Sequence, residues 1–529
     1  MKKVFVFISI VAFSIVLSAC KGPEELSCDT GYEMIDNECI EMINFDEMYP
    51  EMGVYYQVFV RSFADSDGDG VGDFNGITNN LDYLVDLGID SLWLMPIHPS
   101  PTYHGYDVLD YYGVNSEYGT MEDFENLLQA SEEVGINIII DLVVNHSSSS
   151  HPWFQAWKNG DTEYAGYYRK ITSSDSRYDV NPNLWHSMGD GEYYAGFFGS
   201  SMPDLNWSNP AVQQEMVDVA IYWMDKGVDG FRLDAALHIE DFGEVKPPTI
   251  GITSTLNKLE LFEFQIEQVY PDVYIVGEVW SGLSEFSKFY QSMDSALNFE
   301  TGGDILGVIN RGYSTDYVDT LISNYDVLKA VSEDAVDAPF LYNHDQDRIA
   351  SILNGNQAKL KLAAEMLLSL EGNPFIYYGE EIGMFGEKTY GPTIWDETRR
   401  LPLLLGTDDQ TSWITDTYNG DVDDIVSQLN DPDSILNTYK AILNVRKNSL
   451  ALKYGVLEAS DYNNNALQAY YRTFFYDEFH NEKVLVLHNV TESEYDFGTI
   501  DGEVIYYSGG IENYDGIIGS RSTVIIKID

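Results

Sequence analysis

The chain has 529 residues and a formal net charge of −57, from 86 acidic and 29 basic side chains. So large a negative charge repels a polyanion, which argues against any function that requires binding to nucleic acid. The length exceeds one hydrophobic core and hydrophobic residues make up 44% of the chain, so we expect a globular protein of two or three domains rather than a disordered one.

The first 20 residues have the pattern of a secretory signal, with Lys2 and Lys3 ahead of an apolar run at residues 4–17. A membrane-spanning helix is the alternative, but the run is shorter than a span requires. Residues 17–20, LSAC, resemble the box that bacterial lipoproteins carry before a lipid-modified cysteine. This resemblance implies export and attachment of a lipid at Cys20, which would anchor the protein to the outer face of the bacterial cell membrane and be its only membrane contact.

Residues 21–50 are predicted to form a tether that carries a small closed loop. They contain Cys28 and Cys39, and the only other cysteine in the chain is Cys20. In an exported protein, two cysteines at this spacing typically form a disulfide, whereas a metal site would need more ligands. We therefore expect a Cys28–Cys39 disulfide.

The stretch DSDGDGVGDFNGI, which begins at Asp65, has the carboxylate spacing of a calcium-binding loop. Positions one, three, five and nine of such a loop carry carboxylates, and position seven supplies a backbone carbonyl. The twelfth residue is Gly76 where an EF-hand has glutamate, so we do not expect a calcium-sensing pair of helices. An acidic, glycine-rich turn without metal is the alternative. The predicted Ca²⁺ ligands are Asp65, Asp67, Asp69, Val71 and Asp73.

Eight short apolar runs, most of them separated by helical patterns, predict the central fold. Such alternation favours a (β/α)8 barrel, of the α/β class, over an open sheet. In that barrel, catalytic side chains lie at the C-terminal ends of the strands. We assign residues 51–146 and 207–450 to the barrel. The eight predicted strands lie within residues 54–63, 89–96, 136–144, 228–235, 273–280, 295–299, 338–345 and 373–381.

Two further domains are predicted outside the barrel. The interval after the third strand is too long for one helix, so residues 147–206 form an insertion. It is rich in aromatic residues without clear periodicity, which indicates a small irregular domain whose rings either contact sugars or pack a core of their own. Residues 451–529 contain short alternating runs separated by turn residues, which predict an all-β sandwich at the C-terminus.

The segment GFRLDAALH places Arg232 and Asp234 on one side of a strand end. Arg232 should lower the pKa of the neighbouring carboxyl, so that Asp234 stays ionised and can act as a nucleophile. A buried structural ion pair is the alternative. Three other acidic residues occur at predicted strand ends, namely Asp141, Glu278 and Asp345. The apolar neighbours of Glu278 should raise its pKa and keep it protonated, as an acid catalyst requires.

Five stretches resemble, in order, the signature regions of the α-amylase family of glycoside hydrolases. They are INIIIDLVVNH, MPDLN at residues 202–206, GFRLDAALH, VYIVGEVW and APFLYNHDQDR. MPDLN lies between the forms of oligo-1,6-glucosidases and neopullulanases, and the acidic loop is similar to the calcium loop of the former. The resemblance implies that Asp234 is the nucleophile and Glu278 the acid and base of a retaining mechanism. Asp345 would then bind the ring hydroxyls and favour the distorted transition state.

The same resemblance implies a set of substrate-binding residues. Tyr106 would stack on the sugar ring, and His146 and His344 would form hydrogen bonds with the sugar in the cleavage subsite, although a lone histidine is more often structural. Asp107 and Arg400 match a pair that holds the nonreducing end in exo-acting relatives. Asp141 and Asn145 would be scaffold or second calcium-site groups, and Leu237 stands where many members have lysine. The substrate-binding candidates are Tyr106, His146, Arg232, His344, Asp107, Arg400 and His104.

The sequence therefore predicts a monomeric, calcium-binding, surface-anchored enzyme that cleaves α-1,4-glucosidic bonds in starch and maltooligosaccharides, with retention of configuration. An α-glucosidase, neopullulanase or glucanotransferase of the same family is one alternative. A non-catalytic, glycan-binding surface lipoprotein is another, although the presence of all three carboxylates argues against it.

Overall fold

A computed structural model describes residues 32–35, 38–239, 249–389 and 396–528. The chain divides into two compact units, residues 1–49 and 50–529. The described part of the first unit is an antiparallel hairpin of β1 (Tyr32–Ile35) and β2 (Glu38–Glu41), followed by the short helix α1 (Phe45–Met48). Cys39 is disulfide-bonded. Cys20 and Cys28 lie outside the described residues.

The second unit contains the remaining strands and helices. The strands are β3 (Tyr55–Val58), β4 (Ser91–Leu94), β5 (Asn137–Val143), β6 (Lys170–Thr172), β7 (Trp185–Gly189), β8 (Glu192–Ala195), β9 (Gly230–Asp234), β10 (Tyr274–Gly277), β11 (Ser295–Asn298), β12 (Ala338–Pro339), β13 (Phe375–Tyr377), β14 (Val456–Ala459), β15 (Leu467–Phe475), β16 (Asn481–Asn489), β17 (Tyr495–Asp496), β18 (Glu503–Tyr507), β19 (Ile517–Ile518) and β20 (Ser522–Ile528). The helices are α2 (Val60–Phe63), α3 (Phe74–Asn79), α4 (Leu81–Leu87), α5 (Met121–Val134), α6 (Pro152–Lys158), α7 (Ser176–Val180), α8 (Pro210–Met224), α9 (Thr249–Glu267), α10 (Leu283–Phe286), α11 (Phe299–Arg311), α12 (Tyr317–Val331), α13 (Ile349–Ile352), α14 (Gln357–Leu368), α15 (Ile425–Leu429), α16 (Ile435–Lys447) and α17 (Leu450–Tyr454).

The predicted (β/α)8 barrel is confirmed. Its eight strands are parallel and follow the order β3-β4-β5-β9-β10-β11-β12, with β13 beside β3. A single bridge between Phe340 and Phe375 closes the ring between β12 and β13. Because alternate residues of each strand point inward, the barrel interior is filled by large side chains. These are Tyr55, Trp93, Ile139, Tyr274, Val276, Leu297, Ala338, Phe340 and Phe375.

Two barrel strands are shorter than the sequence predicts. The first ends at Val58, and the apolar run continues as helix α2. The seventh is only Ala338–Pro339, so Asp345 lies in the loop that follows and not at the strand end. Apolar runs do not distinguish a short strand from the buried loop or helix that continues it.

The insertion after β5 is more regular than we expected. Strands β6, β8 and β7 form a three-stranded antiparallel sheet, and α6 and α7 precede β6 and β7. The strands have three to five residues, which is too short to produce a recognisable period. A core of Ile171, Leu184, Trp185 and Ala195 holds them together.

The C-terminal region is all-β, as predicted. Five antiparallel strands pair in the order β14-β15-β16-β20-β18, and β17 pairs with β19. Ile518 of β19 packs with residues of the larger sheet such as Leu485, Leu487 and Val524. The core therefore lies between the five-stranded sheet and the smaller pair of strands.

Two buried arginines hold the end of α14, one from the barrel helix α16 and one from the C-terminal region. Arg446 of α16 donates hydrogen bonds to the carbonyls of Leu368, Leu370 and Gly372 at 2.6–2.9 Å. Arg472 of β15 donates to the carbonyl of Ser369 at 2.7 Å. The last carbonyls of a helix lack hydrogen-bond donors within the helix, and these guanidinium groups supply donors at the C-terminal end of α14. Within the described parts of the chain, no helix has the length and apolar character needed to cross a bilayer.

Candidate active site

A cavity of about 370 Å³ opens at the end of the barrel where the parallel strands finish. Strand β9 ends at Asp234, Glu278 follows β10, and Asp345 lies in the loop after β12. The three carboxylates that the sequence analysis assigned to catalysis thus line one cavity. It is also lined by His104, Tyr106, His146, Phe198, Met202, Ala235, Leu237, His238, Trp280, Asp396 and Arg400.

The fully buried guanidinium of Arg232 contacts three carboxylates beside this cavity. It donates hydrogen bonds to Asp141 and, at 2.7 Å, to Asp234, and its Nη2 lies 3.1 Å from Glu278 Oε1. The barrel register produces this arrangement, because Arg232 pairs with Asp141 on one side and Val276 on the other. Arg232 is not among the residues that line the cavity, so its effect on a ligand is exerted through these carboxylates.

Tyr106 and His344 are fixed beside Asp345 by a chain of hydrogen bonds. The Gln57 amide donates to His344 Nδ1 at 2.6 Å, so the proton of the neutral ring is on Nε2. That nitrogen lies 2.7 Å from the Tyr106 hydroxyl and 3.2 Å from Asp345 Oδ2. The Tyr106 hydroxyl in turn donates to Asp141 Oδ2 at 3.2 Å. These contacts leave little freedom to either ring.

A second arginine holds Asp345. Arg400 Nη2 donates to Asp345 Oδ1 at 3.1 Å and to Asp396 Oδ2 at 3.0 Å. We call Arg400 and Asp345 the carboxylate clamp. Burial acts to raise the pKa of Asp345, but the contact with His344 and the charge of Arg400 outweigh it and hold that pKa well below its usual range. Asp345 is therefore an anion at neutral pH.

Asp107 does not contribute to the cavity wall. It is buried and accepts hydrogen bonds from the hydroxyls of Ser100, at 2.6 Å, and Thr102. Arg400, the other member of the predicted substrate-binding pair, lines the cavity and contacts Asp345 and Asp396. In this structure Asp107 therefore supports the loop that precedes Tyr106, and its predicted contact with the nonreducing end of a glucan stays a prediction.

The expectation that Arg232 holds the pKa of Asp234 low was wrong. Burial raises that pKa to about 7, and the opposing charge of Arg232 does not compensate because Asp141 and Asp345 are also close. Burial raises the pKa of Glu278 to about 7 as well, in the direction that its apolar neighbours predicted. Because three carboxyls share the one cation of Arg232, the pair of Asp234 and Glu278 retains a proton near neutral pH. Since Asp234 makes the shorter contact with Arg232, we infer that the proton is on Glu278.

The histidines of the cavity are neutral. Burial lowers the pKa of His146 to about 3 and that of His344 to about 4, and it lowers the pKa of His104. A neutral imidazole donates one hydrogen bond and accepts another, which suits the hydroxyl groups of an uncharged ligand.

The sequence analysis missed several residues that line the cavity. Trp280 is 54% exposed and stacks on Phe299 with ring centroids 4.6 Å apart, and Phe198 is 44% exposed beside His238. Trp280 and His238 belong to the same short stretches as two of the carboxylates, which was the available signal. Phe198 and Asp396 come from loops whose sequence has no period, and nothing in the sequence identified them.

The acidic loop brings three of its carboxylates together. Oxygens of Asp65, Asp67 and Asp73 lie within 4.8 Å of one another. Asp69 is not in this group, and its carboxylate accepts a hydrogen bond from the Val71 amide at 2.7 Å. Calcium takes oxygen ligands, carboxylates above all, so the chemistry of this donor set fits Ca²⁺.

The family model for the alpha-amylase catalytic domain matches residues 57–455. The chain is 40% identical over 497 residues to a Dictyoglomus thermophilum protein named Alpha-amylase 3, over 92% of this chain and 95% of that protein. It is 33% identical over 453 residues to the 4-alpha-glucanotransferase of Thermotoga maritima, over 83% of this chain and 96% of that protein. Among solved structures, the alpha-amylase from H.orenii superposes with a TM-score of 0.79 at 35% identity, over 90% of this chain and 99% of that chain.

The raised pKa of Glu278 predicts that its charge costs stability. Folding raises this pKa from 4.5 to about 7, so stability is lost as pH rises through that range and stays lost above it. Glu278→Gln cannot ionise, so we expect its melting temperature to exceed that of the wild type at about pH 8, by the equivalent of about 2–3 kcal/mol, and to match it near pH 4.5. Thermal unfolding at both pH values measures this. Glu285→Gln, at a partly exposed surface glutamate, is the control, and an equal difference at both pH values would contradict the prediction.

Proposed function

Because this chain belongs to the alpha-amylase family of glycoside hydrolases, we propose that it hydrolyses α-1,4-glucosidic bonds of starch and maltooligosaccharides with retention of configuration. The observation that carries the proposal is the group of three carboxylates around one cavity, two of them in contact with the same guanidinium. A shared guanidinium keeps Asp234 and Glu278 close, and a short separation of the two carboxyls is what the retaining mechanism requires. The 40% identity to Alpha-amylase 3 supports the choice of substrate.

In the first step, the Asp234 carboxylate attacks carbon one of the sugar bound in the cavity. Glu278 gives its proton to the glycosidic oxygen at the same time. The bond from carbon one to that oxygen breaks, a bond to Asp234 Oδ forms, and the shortened glucan leaves with the proton. The contact of 2.7 Å between Arg232 and Asp234 directs the nucleophile and favours the ionised form of Asp234 over that of Glu278, which lies 3.1 Å from Arg232 and supplies the proton.

In the second step, Glu278 acts as the base. Its carboxylate takes a proton from a water molecule, and the water oxygen attacks carbon one. The bond to Asp234 breaks, which restores the free carboxylate and leaves the proton on Glu278. Two inversions at carbon one give net retention.

Asp345 is proposed to bind the hydroxyls of the sugar that reacts. Asp345 is an anion in this site, and Arg400 and His344 each hold one of its two oxygens. Negative charge that is already oriented stabilises the positive charge that develops on the ring in the transition state. Tyr106 and the neutral histidines would complete the contacts with this sugar.

The first experiment is a time course of the products from maltoheptaose. A hydrolase releases one new reducing end for each bond cleaved, and the first products carry the α-anomer, which NMR detects. We expect this result with starch and maltooligosaccharides, and little cleavage of isomaltose. Products longer than the substrate, without new reducing ends, would show a glucanotransferase. Binding of starch without any cleavage would show a glycan-binding protein.

Two variants distinguish the proposed roles of Asp234 and Glu278. Maltosyl fluoride, in the α configuration, needs no acid because fluoride is a good leaving group. Glu278→Ala should cleave starch about 10²–10⁴-fold more slowly than the wild type but still react with the fluoride. Added azide should accelerate that reaction and give α-maltosyl azide. Asp234→Ala should be inactive on both substrates. The opposite pattern in the two variants would mean that Glu278 is the nucleophile and Asp234 the acid.

We also propose that Asp65, Asp67 and Asp73 hold a calcium ion. Calcium would neutralise the three carboxylates and make the loop rigid. A ligand that binds only the folded state stabilises it by about 2.7 kcal/mol at one hundred times its dissociation constant, so Ca²⁺ should raise the melting temperature by several degrees relative to EDTA. Asp67→Asn should reduce this rise, and Asp69→Asn, in the same loop but outside the cluster, should retain it. Equal melting temperatures in Ca²⁺ and EDTA for the wild type would contradict the site.

A further inference from the structure

Trp413 connects the carboxylate clamp to the acidic loop. The segment at residues 409–413 is tied to that loop at both ends, because the Asp65 amide donates to the Asp409 carbonyl and the Ser412 amide to the Gly70 carbonyl, each at 2.8 Å. A segment held by two backbone hydrogen bonds is a rigid support for the side chain that follows it. Trp413 stands at its end.

Trp413 contacts two residues that in turn contact Arg400, namely Ser62 and Tyr103. Its indole Nε1 donates to Ser62 Oγ at 2.7 Å, and Ser62 Oγ donates to the backbone carbonyl of Arg400 at 2.5 Å. Its ring stacks on Tyr103, with centroids 5.7 Å apart and planes at 20°. Phe59 packs edge-on against both rings, at 5.9 Å and 6.4 Å. Trp413 thus restrains both the backbone of Arg400 and the ring of Tyr103.

Tyr103 carries this restraint to the clamp. Its ring lies under the guanidinium of Arg400, 5.5 Å from the centroid, and its hydroxyl donates to Asp396. Arg400 contacts both Asp396 and Asp345 through Nη2. The Tyr103 ring therefore supports the Arg400 guanidinium from one side. Trp413 in turn holds the Tyr103 ring in place.

We propose that Trp413 is a positioning residue for the proposed glucan hydrolysis: it fixes Tyr103 and Arg400, and through them Asp345. Trp413 does not line the cavity, so it acts only through these residues. Without the indole, Tyr103 can rotate beneath Arg400, and Ser62 Oγ, which donates to the Arg400 carbonyl, loses the donor that orients it. Asp345 then samples several orientations. Loss of a fixed orientation of Asp345 mainly reduces stabilisation of the transition state, because that stabilisation depends on the orientation of the charged group.

Simple packing is the alternative role for Trp413, and it makes a different prediction. A residue that only stabilises the fold lowers the melting temperature on truncation, while the kinetic constants of the protein that remains folded are unchanged. A positioning residue lowers kcat at a temperature where the variant is fully folded. Its effect on KM is small, because uniform binding of the substrate is not what is lost.

The test compares Trp413→Ala, Trp413→Phe and Tyr418→Ala in the full chain with maltoheptaose, each assayed well below its melting temperature. Tyr418 is a half-buried aromatic residue of the same region that is not in this chain of contacts, which makes it the matched control. We expect Trp413→Ala to lower kcat about tenfold or more with little change in KM. Trp413→Phe keeps a ring against Tyr103 and should recover most of kcat, and Tyr418→Ala should match the wild type.

A second substrate confirms where the defect acts. Trp413→Ala should also be slow on α-maltosyl fluoride, because Asp345 acts on the sugar and not on the leaving group. A wild-type value of kcat for Trp413→Ala, or a defect that the fluoride relieves, would overturn the inference. Those results leave the proposed function intact, since that function fails only if the wild-type protein itself does not cleave maltooligosaccharides.

Discussion

The contact of Arg232 with Asp141, Asp234 and Glu278 is the interaction on which the site depends. A buried guanidinium is stable only when its charge is compensated, and a parallel barrel provides this by aligning strand ends that carry carboxylates. Asp141 and Val276 flank Arg232 in register, and the Glu278 amide bonds the carbonyl of Leu233. The register of three strands therefore sets which carboxylates share the cation.

One cation for three buried carboxylates leaves an excess of negative charge, and protons make up the difference. This explains why burial raises the pKa of both Asp234 and Glu278 instead of lowering one of them. The same imbalance that destabilises the folded chain provides an acid and a nucleophile at one pH. A better-compensated cluster would be more stable, but it would keep no proton for Glu278 to donate.

The sequence was sufficient to predict the barrel and the three carboxylates that line the cavity, because both correspond to short local patterns in the chain. Each apolar run identifies its own strand, and Asp234 and Glu278 directly follow two of them. The residues that fix the geometry were not predictable in this way. Trp413 and Ser62 are in contact although they are 351 positions apart, and the loops that carry them have no period. The pKa of Asp234 was predicted wrongly because the sequence shows the adjacent arginine but not the depth of burial or the neighbouring acids.

The C-terminal sheet has no residue in the cavity, yet it supports the barrel at its weakest point. Neighbouring barrel strands pair over two or more residues, but β12 and β13 meet through the single bridge of Phe340 and Phe375. Helix α14 lies between these two strands in the chain, and Arg472 of the C-terminal sheet, together with Arg446 of the barrel helix α16, holds the carbonyls at its end. Because the loop after β12 carries Asp345, any opening of this seam would displace the clamp. The domain that contributes nothing to the chemistry thus stabilises the part of the barrel from which the third carboxylate projects.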